Sequence, residues 1–83
     1  MGAVTHLDPA WRILASYETF EHNRCVDVFA RPDGTYGFEE FRRDPEDMGV
    51  WYDVSYFAEK VFDTQQAAER AARQTVHWLA DLP

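Results

Sequence analysis

Hydrophobic and polar residues alternate along the first two thirds of the chain with the two-residue period of a β-strand, and near its end they take the period of a helix. Turn-forming residues divide the alternating part into four segments. The segments predicted as strands are 11–20, 24–31, 35–43 and 50–57. Because short turns or loops join them, we predict an antiparallel β-meander of three or four strands.

The segment after the predicted strands carries small and apolar residues on one side of a helical wheel. Asp63, with Gln66 three residues later, has the form of a capping box, so a helix is predicted over residues 64–79 with Asp63 as its N-cap. The predicted fold class is therefore α+β, an antiparallel meander packed on one C-terminal α-helix. The apolar half of the helix consists of Ala67, Ala68, Ala71, Ala72, Thr75, Val76, Trp78 and Leu79.

The tripeptide Pro-Asp-Gly at 32–34 is the strongest turn signal of the chain, since proline fixes φ and glycine adopts the left-handed conformation. A type I turn with a glycine bulge would place Val28 opposite Phe38, whereas a two-residue turn would place Val28 opposite Glu39. The first register keeps the apolar residues together on one face of the sheet. It is the register that we predict.

One helix covers only one face of such a sheet. The predicted helix-facing side carries Val26, Val28, Ala30, Tyr36 and Phe38. We call the opposite side the outer face, and its predicted members are Arg12, Leu14, Ser16, Glu18, Cys25, Asp27, Phe29, Arg31, Glu39, Phe41, Arg43, Trp51, Asp53 and Phe57.

Large aromatic residues that lie together in water mark an interaction surface. The outer face is therefore predicted to bind a protein partner or a second copy of the chain. Its aromatic anchors would be Phe29, Phe41 and Trp51, and the charges around them Arg31, Arg43, Asp27 and Glu39. The alternative is intramolecular cover, in which residues 1–10 or the loop 44–49 fold over this face.

Length and composition agree with one small domain. The 83 residues are 46% hydrophobic, too apolar for a disordered chain, and no apolar run approaches the length of a membrane span. The start of the chain lacks the features of a signal peptide, and one cysteine cannot form an internal disulfide. We expect a single soluble, cytoplasmic domain over residues 1–83, in which residues 1–10 form an irregular arm.

The charge of the chain bears on its partners. The net charge is -7, from 15 acidic and 8 basic residues. Affinity for nucleic acid depends on clustered cations that replace the counterions of the phosphate backbone. This balance disfavours nucleic acid and leaves a protein partner or self-association as the expected interaction.

Candidate catalytic and metal-binding residues do not form a convincing site. The histidines and the cysteine could supply four ligands, but His77 falls on the polar half of the helix, which leaves too few for a tetrahedral site. Neither serine lies in a nucleophile elbow, and Cys25 has no histidine placed as its base. We therefore predict no catalytic residue, no metal and no cofactor. The residues considered are His6, His22, Cys25, His77, Ser16 and Ser55.

Two carboxylates form the remaining candidate for chemistry. Asp27 and Glu39 lie opposite each other in the predicted register, and such a pair can raise one pKa as a general acid requires. Arg31 and Arg43 flank the pair and would neutralise it instead. We predict a structural role for these charges.

The closing pattern of the chain, Trp51 followed by Phe62-Asp-Thr-Gln-Gln-Ala-Ala-Glu-Arg-Ala-Ala after a turn-rich hairpin, resembles the sheet-plus-helix part of AP2-type and phage-integrase arm-type DNA-binding domains. It is also similar to small uncharacterised bacterial proteins that end in a Val-x-Trp-Leu pattern, here Val76-His-Trp-Leu79. The similarity covers the second half of the chain and implies a fold. In the DNA-binding domains an exposed sheet face enters the major groove with arginine and tryptophan. The residues that match in type are Arg31, Arg43 and Trp51, and the carboxylates that share the surface are Asp27, Glu39 and Asp53.

Together these observations predict a small non-enzymatic protein-interaction module that uses the outer face. The alternative is a nucleic-acid-binding domain of the AP2 or integrase arm type.

Overall fold

The computed structural model of the protein describes residues 3–4, 8–43, 51–54 and 57–81, which form one sheet and a helical C-terminal part. In this part of the chain five strands make up the sheet, and a 3-10 turn leads from the sheet to the helices. The elements are β1 (Ala3–Val4), β2 (Arg12–Glu18), β3 (Arg24–Ala30), β4 (Tyr36–Arg43), β5 (Trp51–Asp53), the 3-10 turn (Phe57–Glu59), α1 (Gln65–Thr75) and α2 (His77–Ala80).

Strands β2 to β5 follow one another as an antiparallel meander, as predicted, and the spatial order of the sheet is β1-β5-β4-β3-β2. Strand β1 lies parallel to β5, with Ala3 opposite Trp51 and Val4 opposite Tyr52. This pairing corrects the prediction of an irregular arm over residues 1–10, because two of those residues join the sheet. The α+β class is confirmed, and β4 occupies the centre of the sheet.

The predicted fourth strand, 50–57, is shorter in the structure. Strand β5 ends at Asp53, and the 3-10 turn begins at Phe57. The chain then returns to β4, where the N–H of Tyr36 donates to the Phe62 carbonyl at 2.8 Å and the N–H of Phe62 donates to the Tyr36 carbonyl at 2.9 Å. The segment between β5 and α1 therefore stays attached to the edge of β4 that β5 leaves open.

The turn between β3 and β4 has the predicted geometry. Val28 lies opposite Phe38. The N–H of Arg31 donates to the Thr35 carbonyl at 2.8 Å, and Gly34 has a φ of 88° in the left-handed region. The predicted bulged register is confirmed, because only glycine adopts this conformation without steric cost.

A β-bulge at Leu14 changes the alternation of β2. Ile13 lies opposite Phe29 and Ala15 lies opposite Val28, so Leu14 is an extra residue in β2. The alternation had placed Ile13 on the helix-facing side and Arg12 on the outer face. The register reverses both assignments, because an inserted residue shifts every preceding position by one. Ile13 keeps 46% of its surface exposed.

The helices cover the predicted side of the sheet. Thr64, not Asp63, is the N-cap, because its Oγ1 accepts a hydrogen bond from the N–H of Ala67 at 3.0 Å, so the predicted capping box with Gln66 is absent. The predicted single helix is interrupted at Val76, which has extended backbone angles. The buried core between helices and sheet consists of Val26, Val28, Phe38, Ala68, Ala72, Val76 and Leu79.

We predict that Ala72→Leu lowers the free energy of unfolding by about 1–3 kcal/mol, because Ala72 is fully buried and added methyl groups overpack a filled core. Gln74→Leu is the matched control, since Gln74 is exposed on the same helix and leucine is a good helix former. Urea denaturation of both variants measures the effect. Equal stability of the Ala72 variant and the wild-type protein would contradict close packing between α1 and the sheet.

Candidate functional site

The residues at the centre of the outer face are buried. Phe29 and Glu39 are 0% exposed and Phe41 is 3% exposed. The prediction that Phe29 and Phe41 form exposed anchors is therefore wrong, and Glu39 is not a charge at a binding rim. Residues 5–7 and 44–50, which include most of the predicted covering segments, lie outside the described residues. Contacts among the described residues account for part of the burial of Phe29 and Glu39.

An aromatic and cationic stack covers Phe29. The ring of Trp11 lies 4.8 Å from the ring of Phe29 at an interplanar angle of 11°, and the Arg31 guanidinium lies 4.6 Å from the Trp11 ring. Such stacked rings and cation–π contacts stabilise a fold beyond the area they bury. Gly37, opposite Phe29 on β4, makes room for the stack, because a Cβ at this position would lie 2.9 Å from ring carbons of Phe29.

Arg31 attaches the segment after β5 to the sheet. Its Nη2 donates to the Ala58 carbonyl at 2.6 Å and to the Lys60 carbonyl at 3.2 Å, and its Nη1 donates to the Tyr36 carbonyl at 3.0 Å. Backbone carbonyls of its own chain thus occupy these donors, and the role of Arg31 as a rim charge stays a prediction. Among the described residues, Arg31 has no carboxylate as a hydrogen-bond partner, so it does not neutralise Asp27 as predicted.

Glu39 is a buried carboxylate that accepts backbone hydrogen bonds. Its Oε1 accepts from the N–H of Ala58 at 2.8 Å and its Oε2 accepts from the N–H of Glu40 at 3.0 Å. Charge-assisted bonds of this kind offset the cost of removing the group from water. Asp27 lies opposite Glu39, as predicted, but Ser16 Oγ donates to it at 2.7 Å. Among the described residues, the two carboxylates therefore accept hydrogen bonds from different donors.

The thiol of Cys25 lies in a small polar cluster on the outer face. Its Sγ is 3.4 Å from both Ser16 Oγ and Asp27 Oδ1. Burial raises the pKa of the Cys25 thiol to about 12, and the hydrogen bond with Ser16 lowers it in part. A thiol that remains protonated at neutral pH is a poor nucleophile.

Two other predicted members of the face lie at its margin. The Arg43 guanidinium lies 4.6 Å from the ring of Trp51, and its Nη2 donates to the carbonyl of His22. Both side chains are half-buried. Arg43 thus holds the turn before β3 against β5, and Trp51 is the one predicted anchor among the described residues that keeps part of its surface in solvent.

Within residues 3–4, 8–43, 51–54 and 57–81, no three His, Cys, Asp or Glu side chains are grouped so that they could hold a metal ion. His22 has a φ of 61°, and its Nδ1 lies 3.5 Å from the Glu18 carboxylate. His77 is exposed on α2, as its wheel position indicated. His6 and Ser55 lie outside the described residues.

The structure contains two surfaces that the sequence analysis did not single out. The first is the edge of β2, the last strand in the sheet order. The second is a groove of about 200 Å³ on the helix-facing side, which we call the arginine groove; its described lining residues are Arg24, Arg42, Tyr52 and Val54. The groove was inferable, because the predicted register also places Arg24 opposite Arg42. The edge of β2 was harder to infer, because the alternation of residues does not show the order of the strands in the sheet.

Comparison of the chain with protein-family models, with curated proteins and with solved structures gives no match. In the described part of the chain, no helix has the length and apolar character that crossing a membrane requires.

Gly37→Ala is expected to lower the free energy of unfolding by about 1–3 kcal/mol, because its methyl group would collide with the Phe29 ring. Phe29→Leu removes the ring carbons in question, so the glycine substitution should cost less in that background. Urea denaturation of the wild-type protein, both single variants and the double variant gives the coupling energy. An equal cost of Gly37→Ala in both backgrounds would contradict the stack over β4.

The raised pKa of Cys25 predicts a loss of stability at alkaline pH. The unfolded thiol ionises near its usual pKa of 9.0 and the folded thiol near about 12, so the unfolded state releases its proton first. The free energy of unfolding contributed by this group is complete below pH 9.0 and falls as the pH rises toward about 12. Urea titrations across this range should show a shallower decline for Cys25→Ala than for the wild-type protein. Parallel profiles would show that the thiol ionises equally well in both states.

Proposed function

We propose that the protein is a non-enzymatic protein-interaction module that binds another β-strand at the edge of β2, and that its occupant is β2 of a second copy. The observation that carries the proposal is the position of β2 at the end of the sheet, where within the described residues it pairs with β3 alone. An edge strand presents unpaired N–H and C=O groups that an additional strand satisfies.

The ladder between β2 and β3 identifies the groups that are available. The N–H of Thr19 donates to the Arg24 carbonyl at 3.0 Å, so these two residues bond across the ladder. In antiparallel pairs every second residue directs its backbone groups to the same neighbour. Tyr17 therefore points its N–H and C=O toward β3, whereas Ser16 and Glu18 point theirs to the outer edge.

Apolar side chains flank this edge at both ends. Ile13 is 46% exposed near the start of β2, and Phe20 is 93% exposed in the turn that follows it. The bulge at Leu14 bends the first part of the strand, and bulges are a common means of limiting edge pairing. The regular part after the bulge, up to Glu18, is therefore the section that pairs.

The charge of Glu18 favours an antiparallel second copy. Ser16 and Glu18 are both exposed, and both direct their backbone groups to the outer edge. A two-fold axis at Tyr17 places Ser16 of one copy opposite Glu18 of the other, twice in each dimer. Parallel pairing in the same register would instead place the two Glu18 side chains together, which is unfavourable.

The outer face, which the sequence analysis predicted as the binding surface, gives less support to a role in binding. The centre of the outer face is buried, and the donors of Arg31 are used within the chain. The same observations weaken the alternative of nucleic-acid binding in the AP2 or integrase arm manner, which requires an accessible sheet face with available arginines.

The variant Glu18→Pro tests the proposed strand pairing at the edge of β2. Proline removes the outward N–H of residue 18 and leaves the ladder with β3 intact, so the fold should persist while self-association is lost. Glu18→Gln is the matched control, because it removes the same charge and keeps the N–H. Sedimentation equilibrium gives the dimer dissociation constant, and circular dichroism monitors folding. A wild-type protein that stays monomeric, or a folded Glu18→Pro protein that associates like Glu18→Gln, would overturn the proposal.

A further inference from the structure

Three neighbouring strands bring the residues of the arginine groove into one row. Arg24 on β3 lies opposite Arg42 on β4, and Arg42 lies opposite Tyr52 on β5. Val54 is held beside this row because its N–H donates to the carbonyl of Glu40 at 3.0 Å. The groove is thus built on paired strands rather than on a loop, and its position follows from the register of the sheet.

The described lining residues of the groove carry two positive charges and no negative charge. Arg24 and Arg42 are directly opposed, and like charges in this position destabilise a sheet. Arg24 has a partner, since its Nη1 lies 3.4 Å from Glu40 Oε2, which also accepts from Trp78 Nε1 at 2.8 Å. The side chain of Arg42 is exposed and makes no hydrogen bond or ion pair within the described part of the chain. Among the described residues of the groove, the positive charge of Arg42 is therefore unmatched, in a protein whose net charge is -7.

We infer that the arginine groove binds a carboxylate that carries a single negative charge and a small apolar body. A guanidinium matches a carboxylate with two parallel hydrogen bonds, and one unmatched positive charge fits a monoanion better than a phosphate dianion. Tyr52 and Val54 are each 38% exposed and supply apolar surface beside the arginine. The volume of about 200 Å³ limits the ligand to few heavy atoms, because drug-sized ligands occupy larger pockets.

Two sources present this chemistry. One is a free aromatic or short-chain acid, and the other is the C-terminal carboxylate of a peptide with a terminal apolar residue. Sodium benzoate represents the first source. A tripeptide ending in phenylalanine represents the second, in a free-acid and a C-terminally amidated form.

The experiment is a titration followed by the backbone amide signals of the ¹⁵N-labelled protein. Benzoate should give saturable shifts at Arg24, Arg42, Tyr52 and Val54. Benzamide, which has the same shape without the charge, should give none. Arg42→Gln should weaken binding by at least about tenfold, since it removes the charge-assisted bonds, and Arg42→Lys should retain part of the affinity. Arg70→Gln is the matched control, because Arg70 is exposed on the helix and loses the same charge.

The outcomes separate the alternatives. Tighter binding of the free-acid peptide than of benzoate, lost on amidation, assigns the site to chain termini; equal or weaker peptide binding assigns it to free acids. The inference is overturned if neither carboxylate saturates these signals, if a well-folded Arg42→Gln protein binds like Arg70→Gln, or if inorganic phosphate binds as tightly as benzoate. The amide spectrum of each variant reports its folding, and the result is independent of the edge of β2.

Discussion

The fold depends on β4 being buried on both of its faces. Every residue from Gly37 to Phe41 is buried, and alternate side chains point to opposite sides of the sheet. Phe38 enters the core under the helices, whereas Phe41 is buried on the outer face. A central strand with two buried faces is more typical of a three-layered arrangement than of a sheet with one side in solvent. The consequence is that this protein has no open sheet face at its centre.

Consecutive carboxylates on β4 connect the two faces to the rest of the chain. Glu39 accepts from the backbone of Ala58 on one side, and Glu40 accepts from the indole of Trp78 on the other. A buried carboxylate that loses its hydrogen-bond donors strongly destabilises a fold. The cost of leaving Glu39 and Glu40 unpaired therefore holds the 3-10 turn and α2 against the sheet. The centre of the sheet is occupied in this way, and the two surfaces proposed for interaction, the edge of β2 and the arginine groove, lie outside this buried centre.

Sequence reasoning was accurate where local chemistry determines geometry. The turn at 32–34 fixed the pairing of Val28 with Phe38, and the helical period identified the alanines that face the sheet. It failed for the outer face because a two-residue period tells which side a residue faces, not what covers that side. The described covering groups are Trp11, at the start of the predicted first strand, and the 3-10 turn, which begins where the predicted fourth strand ends. Alternation does not show that either folds over the outer face. The bulge at Leu14 was also invisible, since an inserted residue leaves no mark in the alternation itself.

Native-state hydrogen exchange of the β4 amides tests the two-sided burial most directly. The amides of Glu39 and Phe41 bond to β3 in the ladder that the pairing of Arg31 with Thr35 begins. If β4 is closed on both faces, these amides exchange only through global unfolding, with the free energy that urea denaturation gives. Exchange of Glu39 and Phe41 through local opening, at a free energy well below the global value, would contradict the account.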